Sequence, residues 1–357
     1  MLPRPHANDA EYKRILESRL RRFPECKANW EKYQAGRGHC AETVDWLPVK
    51  MDYEVSATCN FRCTMCLMSE IYDHQRPMMT YEQFRESFES QPGLVEVKLQ
   101  GVGEPLLNKD FFKMAELCVA SDVWARTTTN ASLLHLEDNY KRIIDCGLGE
   151  IQVSVDGATA ETYEHIRRGG RFVRVVENIT KMNSYAHEKG EAWRTSCWML
   201  VQQENRHEVE QMVELAAQMK FTRLVFSIAI GAWGKDNWEE INAGKEVKEG
   251  FTTDFAYKLI ERGKELGVEV TFWDGKDKYE YTEKRDKLCS WLWSRAYIGG
   301  NMDIVPCCVI GDSETCKLGE DKDFSRDWNG SAYRKMRRAH ITGDIPKMCR
   351  NCYYALK

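Results

Sequence analysis

From residue 49 onward the sequence alternates between short strand-like segments and helix-like segments, and no other feature limits the possible folds as strongly. Strands that alternate with helices of this length pair in parallel through right-handed crossovers, which gives a barrel or a doubly wound sheet. We therefore predict an α/β fold, a partial (β/α)6 barrel of the TIM type. Its six strands are expected at Val49–Ala57, Leu94–Leu99, Val123–Thr129, Ile151–Val155, Thr195–Val201 and Arg223–Ile228.

The helices that follow these strands carry apolar residues at helical spacing. They are predicted at Tyr81–Ser90, Asp110–Ala120, Leu136–Cys146, Val173–Lys189, Arg206–Met219 and Thr253–Leu266. A seventh strand, Val268–Trp273, is expected to end the barrel, and the polar stretch Asp274–Lys287 to be a linker. The predicted parts are thus a helical extension over 1–48, a barrel over 49–275 and a cysteine-rich domain over 276–357.

Charge and hydropathy exclude several classes of protein. Lysine and arginine number 51 against 55 acidic residues, so the net charge of −4 offers no overall basic field for nucleic acid. No apolar run approaches the length of a membrane span, and Met1–His6 lacks the apolar core of a secretory signal. We therefore expect a cytoplasmic protein without nucleic-acid or membrane partners. In that reducing compartment, fourteen cysteines indicate metal binding rather than disulfides.

Three of these cysteines share one short loop. Cys59, Cys63 and Cys66 follow the CxxxCxxC spacing directly after the first predicted strand, at the end of a barrel where active sites gather. Three thiolates can hold three irons of a [4Fe–4S] cluster and leave the fourth iron open to an external ligand. Zinc is the alternative, although zinc sites usually pair two CxxC units or add histidines, and this loop has no histidine.

The loop resembles the CxxxCxxC motif of the radical S-adenosylmethionine (SAM) superfamily, whose members bind the open iron through the amino and carboxylate groups of SAM. The resemblance implies that one electron, from a reductant such as flavodoxin or ferredoxin, cleaves SAM to a 5′-deoxyadenosyl radical. That radical abstracts hydrogen from carbon. Many relatives have an aromatic residue near the adenine just before the third cysteine, where this chain has Met65.

Other segments resemble the SAM contacts of the same superfamily at the ends of successive strands. Gly101–Pro105 is similar to the GGEP motif, in which backbone acceptors and the acid bind the SAM ammonium. The segments around 153–157 and 166–170 are similar to those that hold the ribose and the methionine carboxylate, although a plain turn and a surface charge are the alternatives there. The resemblance implies cofactor contacts at Gly101, Gly103, Glu104, Asn130, Ser154, Asp156 and Arg168, with Met65 near the adenine.

A second cysteine set lies near the C-terminus. A hairpin with its turn near Gly300 is expected to bring Cys289 and Cys307 together. The region resembles the SPASM/twitch extension of the superfamily, with spacing similar to that of the 2-deoxy-scyllo-inosamine dehydrogenase group. This implies one auxiliary [4Fe–4S] cluster on Cys289, Cys307, Cys349 and Cys352. Cys308 and Cys316 leave a second cluster open, and a structural zinc site is the alternative.

An auxiliary cluster near the substrate can take up an electron, so dehydrogenation of a small polar substrate such as a sugar, cyclitol or aminoglycoside is the expected reaction. Epimerisation is the alternative if a thiol returns a hydrogen, and Cys197 is the candidate donor because alternate residues of its strand point into the barrel. A peptide-modifying maturase, an electron carrier and a zinc-binding scaffold are the remaining hypotheses.

Overall fold

A computed structural model describes residues 2–69, 77–228, 251–273, 288–350 and 352, together with 230, 234, 237, 240 and 242–247. The predicted linker Asp274–Lys287, and with it the predicted boundary at 275, lie outside the described residues. No helix in the described ranges combines the length and apolar character that a membrane span requires.

The described strands confirm the α/β fold with a parallel sheet. Seven strands pair in parallel in the order in which they occur along the chain. They are β1 (Lys50–Tyr53), β3 (Glu96–Leu99), β4 (Trp124–Thr129), β5 (Glu150–Ser154), β7 (Thr195–Leu200), β8 (Arg223–Ser227) and β9 (Glu269–Trp273). A separate antiparallel pair joins β2 (Arg62–Cys63) to β6 (Arg167–Arg168).

Helices follow the strands as predicted, with ends set by local signals. The helices are α1 (Asp9–Arg22), α2 (Pro24–Gly36), α3 (Tyr81–Glu89), α4 (Phe111–Ala120), α5 (Asn139–Asp145), α6 (Ala160–Ile166), α7 (Phe172–Glu188), α8 (Val209–Gln218) and α9 (Thr253–Leu266). The extension forms two helices because Pro24, which lacks an amide donor, begins α2. α5 begins later than predicted because Glu137 and Asp138 adopt left-handed backbone angles.

The C-terminal hairpin is present, and it continues the barrel sheet. β10 (Arg295–Ile298) pairs in parallel with β1, and β11 (Asp303–Val305) pairs antiparallel with β10. β12 (Gly319–Glu320) follows, so the described part of the sheet has ten strands and β1 is an inner strand. The helices of this region are α10 (Trp291–Ser294), α11 (Phe324–Asp327) and α12 (Ser331–Thr342).

The two faces of the strands differ in chemistry. On β1, Tyr53 faces the helices, because its ring lies 4.9 Å from that of Phe84 in α3. The opposite face carries charges near the amino ends of the strands, where Glu96 forms ion pairs with Lys50 at 2.6 Å, Arg126 at 3.0 Å and Arg295 at 2.7 Å. Burial alone would raise the pKa of Glu96, but the three cations hold it well below its usual range.

Candidate active site

The three-cysteine loop follows β1 at the carboxyl edge of the sheet and is pinned to a second segment. Its strand β2 pairs with β6 so that Cys63 lies opposite Arg167, and the Thr64 amide donates to the Ile166 carbonyl at 2.9 Å. Within the loop, the Phe61 amide donates to the Cys59 sulfur at 3.4 Å. Backbone hydrogen bonds to β6, together with the packing of Phe61 and Met65 in the core, therefore hold the shape of this loop.

The three thiols lie close enough to influence one another. Burial raises the pKa of Cys59 and Cys63 to about 12 and that of Cys66 to about 11, and each thiol is raised further by another of the three. Among the described residues, no three His, Cys, Asp or Glu side chains are arranged to hold a single metal ion. Buried thiols of this kind become thiolates when a metal centre replaces their protons, so the donor set fits an iron–sulfur cluster.

The glycine segment after β3 packs against the start of the cysteine loop. A Cβ atom on Gly103 would collide with the carbonyl oxygens of Ser56 and Thr58, and the Glu104 amide donates to the Thr58 carbonyl at 2.9 Å. A Cβ atom on Gly101 would collide with the side chain of Glu54. The two glycines thus allow a close approach to the protein's own chain, to neighbours that the motif could not reveal.

Glu104 is held in one orientation by donors from neighbouring segments. Its side chain is buried, and it accepts hydrogen bonds from Thr129 Oγ1 at 2.7 Å, the Asn130 amide at 2.8 Å and the Leu106 amide at 3.3 Å. Burial raises the pKa of Glu104, whereas these donors lower it. Asn130 also reaches the cysteine loop, since its Nδ2 lies 3.9 Å from the Cys59 sulfur. The predicted Glu104 and Asn130 therefore meet at one edge of the loop.

The segment after β5 brings a charged pair to the same edge. Asp156 is fully buried, forms an ion pair with Arg167 at 2.6 Å and accepts from the Leu200 amide at 2.8 Å. Arg168, which the sequence suggested, is exposed, and Ser154 is partly buried at the end of β5. The sequence could not choose between the adjacent arginines because the side each one faces depends on the pairing of β6.

Three polar side chains that sequence reasoning missed lie near this edge without partners. Gln202, two residues after β7, is fully buried, and neither polar atom of its amide has a hydrogen-bond partner in the described part of the chain; the same holds for buried Asn242. The Thr64 hydroxyl, in the cysteine loop beside buried Met65, is also buried and unpartnered there. Unsatisfied buried polar groups are costly, so this region fits a polar ligand.

The segment 242–247 connects these groups. The Lys245 ammonium donates to the Thr64 carbonyl at 2.6 Å, and the Lys245 carbonyl accepts from the Gln203 amide at 2.9 Å. One short segment therefore touches both the cysteine loop and the end of β7. An Asn or Gln amide gives little signal in a sequence, which is why Gln202 and Asn242 could be found only from their burial.

The C-terminal cysteines also lie close together, and one of them raises the pKa of residues in the barrel interior. Burial raises the pKa of Cys307, with further increases from Cys308, Cys289 and Cys352. Burial likewise raises the pKa of Cys349, where Cys289, Cys352 and Cys316 add to the effect. Cys289 and Cys352 therefore each lie near both Cys307 and Cys349. Cys308 in turn raises the pKa of two residues of the barrel sheet, Lys98 of β3 and Tyr297 of β10.

The structure corrects the expected orientation of Cys197. The Thr195 hydroxyl, on the same face of β7, donates to Asn183 of α7 at 2.8 Å. Since alternate residues share a face, Cys197 points toward the helices and lies among buried apolar side chains. The thiol therefore does not line the barrel interior, and it is not a candidate hydrogen donor.

Cys197→Ala is expected to retain the wild-type iron content and the wild-type rate of 5′-deoxyadenosine formation from SAM. Its loss of packing should lower the free energy of unfolding by roughly 1 kcal/mol, an ordinary cost for a core substitution. Iron analysis, product quantitation and thermal denaturation measure these three quantities. A large loss of activity at unchanged stability would contradict the orientation described above.

A parallel sheet with a three-cysteine loop after its first strand and unpartnered buried polar groups near its carboxyl edge is an arrangement typical of barrel enzymes that bind a metal centre there. Residues 53–216 match the family model of the radical SAM superfamily. These residues thus form a radical SAM domain, and a [4Fe–4S] cluster and SAM are the cofactors of such a domain.

Known relatives agree with this assignment. A mycofactocin maturase of Mycolicibacterium smegmatis is 24% identical over 56% of this chain and 49% of its own length, so the match spans about half of that relative. A GTP 3′,8-cyclase of Aliarcobacter butzleri is 23% identical over 77% of this chain and 85% of its own.

A solved structure shows the same fold. SuiB of Streptococcus suis, bound to its precursor peptide SuiA, matches with a TM-score of 0.61 at 13% identity, over 87% of this chain and 70% of that one. A second structure of SuiB, bound to SAM, gives the same TM-score. At this identity the likeness concerns the fold alone.

Proposed function

We propose that Cys59, Cys63 and Cys66 bind three irons of a [4Fe–4S] cluster and that SAM completes the fourth. When bound, this pair supplies a 5′-deoxyadenosyl radical that abstracts hydrogen from the substrate. The chain's part is to hold the three thiolates and to exclude water from the carboxyl edge. The observation that carries the proposal is the convergence of the three mutually interacting thiols with Glu104 and Asn130 at one edge of the sheet.

Glu104 is the proposed acceptor for the SAM ammonium. A carboxylate offers about four acceptor positions, and Glu104 uses three of them on protein donors. The remaining position and the fixed orientation suit one further cationic donor. The ribose and the carboxylate of SAM are proposed to contact Ser154, Asp156, Arg168 and Asn130. Met65 is proposed to lie near the adenine, and the backbone at Gly101 and Gly103 to supply acceptors. Arg167 is proposed to orient Asp156.

The C-terminal set is proposed to hold an auxiliary [4Fe–4S] cluster through Cys289, Cys307, Cys349 and Cys352. Its position near the barrel sheet supports oxidation chemistry. Cys308, the neighbour of Cys307, is close enough to raise the pKa of Lys98 and Tyr297 in that sheet. An electron acceptor beside the substrate favours dehydrogenation. The orientation of Cys197 removes the thiol on which the epimerase alternative rested.

The proposed substrate is a small polar molecule in the barrel interior. The GTP cyclase supports this class, because it is a relative that matches most of the chain and is named for a small molecule. A peptide is the second candidate, since the fold neighbour SuiB is bound to a precursor peptide. Anaerobic incubation of the reduced protein with candidates of both classes, followed by mass spectrometry, separates them by which one loses two hydrogens.

Cys349→Ala is expected to lower the iron content from about eight to about four atoms per chain while 5′-deoxyadenosine formation continues. The reason is that the variant loses one ligand of the auxiliary site and none of the loop at 59–66. Cys316→Ala is the matched control, because Cys316 also neighbours Cys349 but lies outside the proposed four. Iron loss in Cys316→Ala equal to that in Cys349→Ala would contradict a single four-cysteine site.

The proposed activity is tested by purifying the protein anaerobically, reducing it and quantifying 5′-deoxyadenosine after addition of SAM. We expect a brown, iron-containing protein that forms this product. Clusters without SAM cleavage would indicate an electron carrier, and a colourless zinc protein would indicate a scaffold; either result contradicts the proposal.

A further inference from the structure

The barrel face of the sheet carries several cations, and the pairing of these cations is uneven. Lys50, Arg126 and Arg295 all form ion pairs with Glu96 within 3.0 Å. Arg126 also lies 3.6 Å from Glu150, and Arg295 lies 3.5 Å from Asp52. These cations therefore have their counter-charges within the protein.

Lys98 lies in the same layer and differs from them. It is opposite Asp52 on one side and Arg126 on the other in the register of the strands. In the described part of the chain its ammonium makes a single hydrogen bond, of 3.4 Å, to Oε1 of Gln152, and no carboxylate lies within ion-pair distance. An ammonium has three donors, and Asp52 and Glu150 act on Lys98 only from beyond ion-pair distance, so Lys98 has no direct anionic partner in the described part of the chain.

The acceptor of that one bond is itself fixed. Gln152 Oε1 also accepts from the Thr128 hydroxyl at 2.9 Å, and its Nε2 donates to Glu150 at 3.2 Å. Gln152 therefore cannot turn to give Lys98 a better contact without breaking two other bonds. Burial and the neighbouring Arg126 lower the pKa of Lys98 to about 8, because Asp52, Cys308 and Glu150 raise it by less than burial lowers it.

Lys98 also stands at the right depth for a substrate group. Its hydrogen-bond partner Gln152 precedes Ser154, a proposed SAM contact, by two residues on the same face of β5. Lys98 itself is level with Arg126, and its ammonium reaches a side chain one step below the cofactor edge. Cys308, which belongs to the C-terminal cysteines, raises the pKa of Lys98.

We propose that Lys98 binds an anionic group of the substrate, a carboxylate or a phosphate, inside the barrel. The inference deepens the proposed function and rests on it for the location of the reacting carbon. An ion pair at Lys98 anchors one end of the substrate below the cofactor edge, so a carbon a few bonds away is presented to the radical. This narrows the substrate to acidic molecules, from small acids and nucleotides to peptides with an acidic side chain.

The test measures anion binding by the full-length, anaerobically prepared protein without SAM. The probes are succinate, inorganic phosphate and the blocked peptide acetyl-Gly-Glu-Gly-amide, each against sodium chloride at equal ionic strength. At saturating concentration, at least one probe is expected to raise the melting temperature by about 2 °C. Succinate or phosphate as the effective probe indicates a small-molecule source, and the peptide indicates a peptide source.

Lys98→Met is expected to lose this shift, and Lys98→Arg to keep it, because Arg retains the positive charge. Lys113→Met is the matched control, since Lys113 is exposed and paired with Asp110 at 2.8 Å. If Lys98→Met does not fold, Lys98→Gln provides the same comparison. Equal shifts in wild type and the neutral variants, or no shift with any probe in wild type, would overturn the inference. Because no SAM is present, failure of 5′-deoxyadenosine formation is a separate result that counts against the proposed function alone.

Discussion

Replacing Cys59, Cys63 and Cys66 together by alanine is expected to reduce the iron content from about eight to about four atoms per chain and to abolish 5′-deoxyadenosine formation. Each thiol is a proposed iron ligand, and no other described cysteine is among the main groups that shift the pKa of these three thiols. The Thr64 and Cys66 amides donate to the backbone carbonyls of Ile166 and Cys63, which the substitutions leave in place, so the rest of the fold should persist. Iron analysis, circular dichroism and product quantitation check these statements.

The control for the triple variant is Cys26→Ala. Cys26 is a fully buried cysteine that packs with Val49 and Val95 in a separate apolar cluster. It should lose some stability and no iron. An unchanged iron content in the triple variant would show that the loop holds no metal centre.

The second large effect is expected for Gly103→Ala. A methyl group at this position meets the carbonyl oxygens of Ser56 and Thr58, which are backbone atoms and cannot swing aside as a side-chain tip can. The start of the cysteine loop must therefore shift. A displacement of about 1 Å in a catalytic assembly can reduce the rate about 100-fold, and we expect a loss of this order in 5′-deoxyadenosine formation.

Gly190→Ala separates this effect from the general cost of losing a glycine. Gly190 has a φ of +72°, and a Cβ atom there would meet nothing within 4 Å. The variant should lose about 1 kcal/mol of stability from backbone strain and retain its activity. A wild-type rate in Gly103→Ala would contradict the close packing of this segment against the loop.

The order of strands and helices could be read from the sequence because its signals are local. Helix α9 begins and ends as predicted, since Thr252 caps its first turn and Gly267 ends it in the left-handed conformation. The pairing of β10 with β1 could not be predicted, because it joins residues more than 240 positions apart and no local pattern encodes it.

A motif marks the predicted residues of the candidate site, but it does not show which way each side chain points. Cys197 was placed on the wrong face because β7 carries apolar residues on both faces, Cys197 and Met199 on one and Trp198 and Leu200 on the other. Alternation then gives no polarity signal. Lys98 and Gln202 belong to no motif. They are singled out only by their burial, by the single long hydrogen bond of Lys98 and by the unpartnered amide of Gln202.

The central claim is that one iron of the cluster on the loop at 59–66 takes its remaining ligand from SAM. Electron–nuclear double resonance on the reduced, anaerobically prepared protein, with SAM carrying ¹⁵N in its amino group, measures this contact directly. We predict a ¹⁵N coupling that is present in wild type and absent in the triple cysteine variant. A reduced cluster whose spectrum is unchanged by SAM and shows no ¹⁵N coupling would contradict the account.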